Sequence, residues 1–123
     1  MDLFKYIKDG NLDEVKKLIT SGVNINTVDS KSMTPLMVAI DYQNKEIVNF
    51  LIKNKAKLNL VDKYGQTALM LAAGRNFTFA LKFLIAAKAD LNKVSKSRLT
   101  ALGFATSNDN RESALLLKKA GAK

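Results

Sequence analysis

The chain contains no cysteine, no histidine, no tryptophan and a single proline. Without cysteine there is no disulfide, no thiol nucleophile and no thiolate ligand; without histidine the commonest acid-base group and metal ligand is gone. Most familiar active-site constellations are thereby excluded, and neither a metal nor a cofactor is expected. No apolar run reaches the length of about 18 residues that spans a bilayer. The opening MDLFKYIKDG lacks the charged-then-apolar order of a secretory leader. These absences lead us to expect a soluble, cytoplasmic protein without membrane association.

Acidic groups are also scarce. Eleven Asp and Glu face 20 Lys and Arg, a formal charge of +9, and 17 of the cations are Lys, with only Arg75, Arg98 and Arg111 besides. Such a field favours acidic partners and attracts polyanions without selecting among them. Base reading in nucleic acids leans on the bidentate Arg fork, which is rare here, and the lysines are scattered along the chain. The 17 Lys and 11 Asn also fit codon usage in an AT-rich genome. A polyanion or nucleic-acid binder therefore stands as the alternative function.

What the chain has in abundance is internal repetition. MTPLMVAI (33–40) returns as QTALMLAA (66–73) and as LTALGFAT (99–106), so Thr34, Thr67 and Thr100 lie 33 residues apart. In the same register Leu3, Leu36, Leu69 and Leu102 share one slot, and Ala39, Ala72 and Ala105 another three residues on, which is one face of a helix. A second apolar set follows a polar break: Val15, Leu18, Ile19; Val48, Leu51, Ile52; Leu81, Leu84, Ile85; Ala114, Leu117. Steps of three and four predict a second buried helix in every copy. Tails of alternating character close the units, with Asn26, Asn59 and Asn92 in step.

A 33-residue period with a Thr-x-Leu-x-x-Ala core is the sequence signature of the ankyrin repeat, and the chain resembles that family over essentially its whole length. The resemblance implies an all-α solenoid of about four helix-turn-helix repeats joined by short β-hairpin-like turns, with a concave binding face. One domain, 1–123, is expected, with repeats at about 1–28, 29–61, 62–94 and 95–123. Lys5 and Lys17 stand in slots that later copies fill with apolar residues, and Lys118, beside Lys119, replaces Ile19, Ile52 and Ile85. Polar outer faces on terminal repeats are what a complete short array needs.

Three departures from the family pattern carry physical consequences. The histidine of the family's Thr-Pro-Leu-His motif is replaced by Met37, Met70 and Gly103, so packing must supply what its hydrogen bonds would. The closing glycine is kept at Gly22 and Gly121 but is Lys55 and Lys88 in the middle copies, where a left-handed backbone is expected. Gly10, Gly65 and Gly74 read as turn residues. In copy three, Phe77 and Phe79 occupy slots that are polar elsewhere. They mark either a second contact patch or, as the preferred reading, rings tucked against neighbouring helices.

Carried over residue by residue, the resemblance assigns partner binding to the turn tips and the first-helix ends. The tips are Val28, Ser30, Lys31 and Met33; Val61, Lys63, Tyr64 and Gln66; Val94, Lys96, Ser97 and Leu99. Beside them lie Asp41, Tyr42, Arg75 and Asn108, together with Gly74 and Ser107. Asp29, Asp62 and, more weakly, Ser95 are expected to bond backbone amides within the turns. Tyr42 and Tyr64 are the expected anchors, since aromatic groups dominate interface energy, and the lysines suit a protein partner with an acidic rim. The implied function is a non-catalytic adaptor or inhibitor, expected as a monomer. Catalysis would have to rest on neighbours such as Asp62 and Lys63, and no convergent polar constellation or phosphate loop supports it.

Overall fold

The computed structural model describes residues 2–123. Among them are eight helices and no strand: α1 (Leu3–Lys8), α2 (Leu12–Thr20), α3 (Pro35–Asp41), α4 (Lys45–Lys53), α5 (Ala68–Gly74), α6 (Thr78–Ala86), α7 (Ala101–Ser107) and α8 (Arg111–Lys119). Each odd helix packs against the even helix that follows it. Odd helices also stack on odd, α1 on α3 on α5 on α7, and even on even, α2 on α4 on α6 on α8. Two helical layers therefore share one core that runs the length of the array. Helices of six to nine residues are too short to persist alone in water. Their stability comes from burial: Ile7, Val15, Ile40, Ile47, Leu51, Leu81, Leu84 and Leu117 are all fully enclosed.

Local chemistry sets the helix starts. Thr34, Thr67 and Thr100 have extended backbones, and their hydroxyls accept from the amides of Met37 (3.2 Å), Met70 (3.3 Å) and Gly103 (3.1 Å). Pro35 follows at the first helical position, where its missing N–H costs nothing. Asn11 and Asn44 cap α2 and α4 in the same way. Asn110 holds that slot in α8 but turns its amide to the carbonyls of Ala73 (2.8 Å) and Gly74 (3.0 Å), tying the last repeat to the third.

Met37 and Met70 are buried, as the packing argument requires. The Met70 sulfur also accepts a hydrogen bond from the Thr67 amide at 3.4 Å. Lys55 and Lys88 have φ of 68° and 69°, matching the left-handed Gly22 and Gly121. Two further slots share that conformation: Gly10, Gln43, Asn76 and Asp109 between the helices of a pair, and Ser32, Gly65 and Arg98 in the tips. Only the closing slot was legible, because glycine occupies both ends of that series. Gly74 is not a turn residue; it is the last residue of α5, and a β-carbon there would make ordinary contact with Asn108 and Phe104.

Phe77 is 6% exposed, and Phe79 packs between Phe77 and Phe83 with ring centroids 6.1 and 4.8 Å away. The Lys45 ammonium covers Phe79 at 5.5 Å. The second-patch reading is therefore corrected in favour of the tucked one. An aromatic at a capping position forgoes the cap and gains burial.

Candidate functional site

The tips are built from the turn side chains inward. Asp29 Oδ1 accepts from the amides of Lys31 (2.8 Å) and Met33 (2.9 Å); Asp62 Oδ1 accepts from Tyr64 and Gln66, both at 2.9 Å. Ser95 does the same work less well, reaching the Leu99 amide at 3.4 Å while its hydroxyl pairs with Ser97 at 2.7 Å. Each tip is closed by a backbone bond between its legs: Asp29 to Met33, Asp62 to Gln66 and Ser95 to Leu99, with N–H donating to C=O at 3.0 Å.

Neighbouring tips are joined as well. The Lys63 amide donates to the Lys31 carbonyl (3.1 Å), and the Lys96 amide donates to the Tyr64 carbonyl (3.0 Å). Behind them, Asn26, Asn59 and Asn92 accept from the amides of Lys57, Asp90 and Lys123, each bond spanning 31 residues. The asparagines that recur in sequence thus serve as cross-repeat staples. The tips form a row fixed in register rather than independent loops.

The tips and the first-helix ends carry most of the large apolar residues left exposed. Of six large hydrophobic residues left exposed among the described residues, five are Val28, Val61, Tyr64 and Val94 on the tips and Tyr42 at the end of α3, between 43% and 57% accessible; the sixth is Leu115 on α8. Ser30, Lys31, Lys63, Lys96, Ser97, Arg75 and Asn108 are exposed around them. Met33, Gln66 and Leu99 are half-buried, since their backbones close the turns.

At the first-helix ends, Tyr42, Arg75 and Asn108 occupy one slot immediately after α3, α5 and α7. Arg75 Nε donates to Asp41 Oδ1 at 2.8 Å, and Asn108 Nδ2 donates to the Gly74 carbonyl at 2.9 Å. Asp41 is therefore engaged within the protein, whereas Tyr42 has no such tie and stands 55% exposed. The Lys63 ammonium lies over the Tyr64 ring, 5.1 Å from its centroid, within reach of the ring's negative face.

Asp62 and Lys63 do not form an ion pair: the Asp62 carboxylate is 7% exposed and is spent on backbone amides. The one basic tip residue that the repeat comparison passed over is Arg98. It is exposed and left-handed (φ 68°), in the slot of Ser32 and Gly65. A Gly-slot residue is easily read as conformational punctuation, and its charge is overlooked. Among the described residues no helix is long and apolar enough to cross a membrane.

Comparison with known proteins gives three matches. A family model described as ankyrin repeats (many copies) matches residues 18–72, and one described as ankyrin repeats (three copies) matches residues 54–123. An ankyrin repeat protein of fowlpox virus (strain NVSL) is 44% identical over 48 residues. That segment covers 39% of this chain and 34% of the viral protein, so the shared region spans about a third of the relative's length.

Proposed function

This chain belongs to the ankyrin repeat family, whose repeats are general protein-protein interaction modules, and from that premise we propose that it is a non-catalytic adaptor or inhibitor. It docks a protein partner on the concave face made by the tips and the first-helix ends. The observation that carries this reading is that, among the described residues, five of the six exposed large apolar side chains lie on the tips and first-helix ends. Rigid apolar groups bordered by lysines fit a partner with an apolar centre and an acidic rim: the aromatic groups supply affinity and the charges supply association rate. The same proposal has the protein acting as a cytoplasmic monomer.

The test is capture from native lysate by nuclease-treated protein at moderate salt, beside a folded variant carrying Tyr64→Ala, Lys63→Glu and Lys96→Glu. A protein retained by the parent and lost by the variant supports docking at this face. Equal retention by both rejects the face. Recovery of nucleic acid alone favours the polyanion reading, whose binding would fall steeply with salt. Sedimentation at micromolar concentration checks the monomer.

A further inference from the structure

The three tips are equivalent in backbone but not in charge. Tip one (28–33) holds Asp29 and Lys31, tip two (61–66) holds Asp62 and Lys63, and tip three (94–99) holds Lys96 and Arg98 with no acid. Formal tip charges are thus 0, 0 and +2. In the first two tips the carboxylate is already committed to backbone amides. Among the described residues none of Lys31, Lys63, Lys96 or Arg98 joins an ion pair; the three pairs are Lys17–Glu14, Arg75–Asp41 and Arg111–Asp109. The row is therefore neutral over tips one and two, with Tyr64 on the second, and cationic at tip three.

Its spacing is also set. Each tip has two legs bonded to one another, and each tip is bonded to the next, so one repeat advances the row by two strand spacings, about 9–10 Å. Packed helix axes at about 8–10 Å give the same step. Val28, Val61 and Val94, all in one slot and about half exposed, recur at that interval. A polyproline-II segment turns once in three residues and rises about 3.1 Å per residue, so it presents the same face about every 9.3 Å. A β-strand repeats its face every two residues, about 6.6 Å, and falls out of step after one repeat.

Resting on the docking reading above, we propose that the partner element is an extended segment of polyproline-II type laid across the tips. An apolar residue at every third position meets Val28, Val61 and Val94, and a cluster of carboxylates at one end meets Lys96 and Arg98. The charge grading fixes the orientation, with the acidic end on tip three. Tyr64, exposed on tip two, adds a flat ring suited to a segment without internal hydrogen bonds.

The test uses a synthetic 13-residue probe, Leu-Pro-Ser repeated three times and followed by four Glu, with a nitroxide beside the Glu run. It is titrated to 1 mM into ¹⁵N-labelled protein at low salt. Amide signals of all three tips are expected to shift, with paramagnetic broadening strongest at Lys96 to Leu99. Lys96→Glu with Arg98→Glu is expected to weaken binding at least tenfold, whereas Lys53→Glu with Lys82→Glu, an equal charge change on exposed residues of α4 and α6, leaves it within twofold. Broadening at Ser30 to Met33, equal loss from both charge reversals, or equal binding of a probe with Leu at every second position overturns the proposal. So does absence of binding at 1 mM, or preference for a 12-nucleotide single strand at the same residues. If the probe fails while lysate capture still depends on Tyr64, docking at this face stands and only the segment geometry falls.

Discussion

Gly22 and Gly65 both have left-handed backbones, with φ of 108° and 73°, yet substituting Ala should cost different amounts. At Gly22 an added β-carbon meets nothing within 4 Å, so only backbone strain is incurred, about 1 kcal/mol for an L-residue. At Gly65 the β-carbon would lie 3.0 Å from the Lys96 backbone nitrogen, tighter than most real contacts, and 3.5 Å from Ser95 Cα. That nitrogen donates to the Tyr64 carbonyl at 3.0 Å, one of the two bonds that join neighbouring tips. Relieving the contact moves the backbone of tip three away from tip two by a few tenths of an ångström and stretches that bond, a further cost of up to about 1 kcal/mol.

Urea unfolding is therefore expected to give about 1 kcal/mol of destabilisation for Gly22→Ala and up to about 2 for Gly65→Ala. Hydrogen exchange at the Lys96 amide should accelerate in Gly65→Ala and not in Gly22→Ala beyond its global effect. Because the Val61 to Val94 spacing depends on that junction, Gly65→Ala should also weaken binding at the tips. Equal destabilisation by the two substitutions, with the Lys96 amide still protected, would refute the idea that the tips are mechanically joined.

Lys55→Gly and Lys88→Gly each relieve a left-handed side chain and should raise the melting temperature, by no more than about 1 kcal/mol of stability after glycine's extra unfolded freedom is subtracted; unchanged or lower values would show that no strain is held there. Asn59→Ala removes the acceptor for the Asp90 amide and should cost about 1 kcal/mol, read as a lower urea midpoint with loosening centred between repeats two and three. Leu84→Ala, at a fully enclosed site, should cost about 2–5 kcal/mol in the same assay. Arg75→Ala breaks a half-exposed ion pair and should change the midpoint by less than about 1 kcal/mol, while altering partner binding if the first-helix ends take part.

The repeat, its register and its helices follow from the amino-acid sequence without reference to contacts between copies. A period of 33 residues with Leu and Ala in fixed slots leaves one way to bury the apolar stripes, and the Thr caps lie where their hydroxyls must act, one residue before each inner helix. The sequence also marked the apolar and basic residues at the turns, since Val28, Val61 and Val94 recur in step without any helix to bury them. Only the tertiary structure decided what those residues amount to. That Asn26, Asn59 and Asn92 bind the following repeat and that the tips hydrogen-bond into one row are contacts between residues about one period apart. The charge grading was present in the letters, but it acquired a direction only when stacking placed Lys96 and Arg98 at one end of a continuous surface. A pattern within one repeat constrains local geometry; which groups meet across repeats depends on how closely the copies stack, and packing sets that distance.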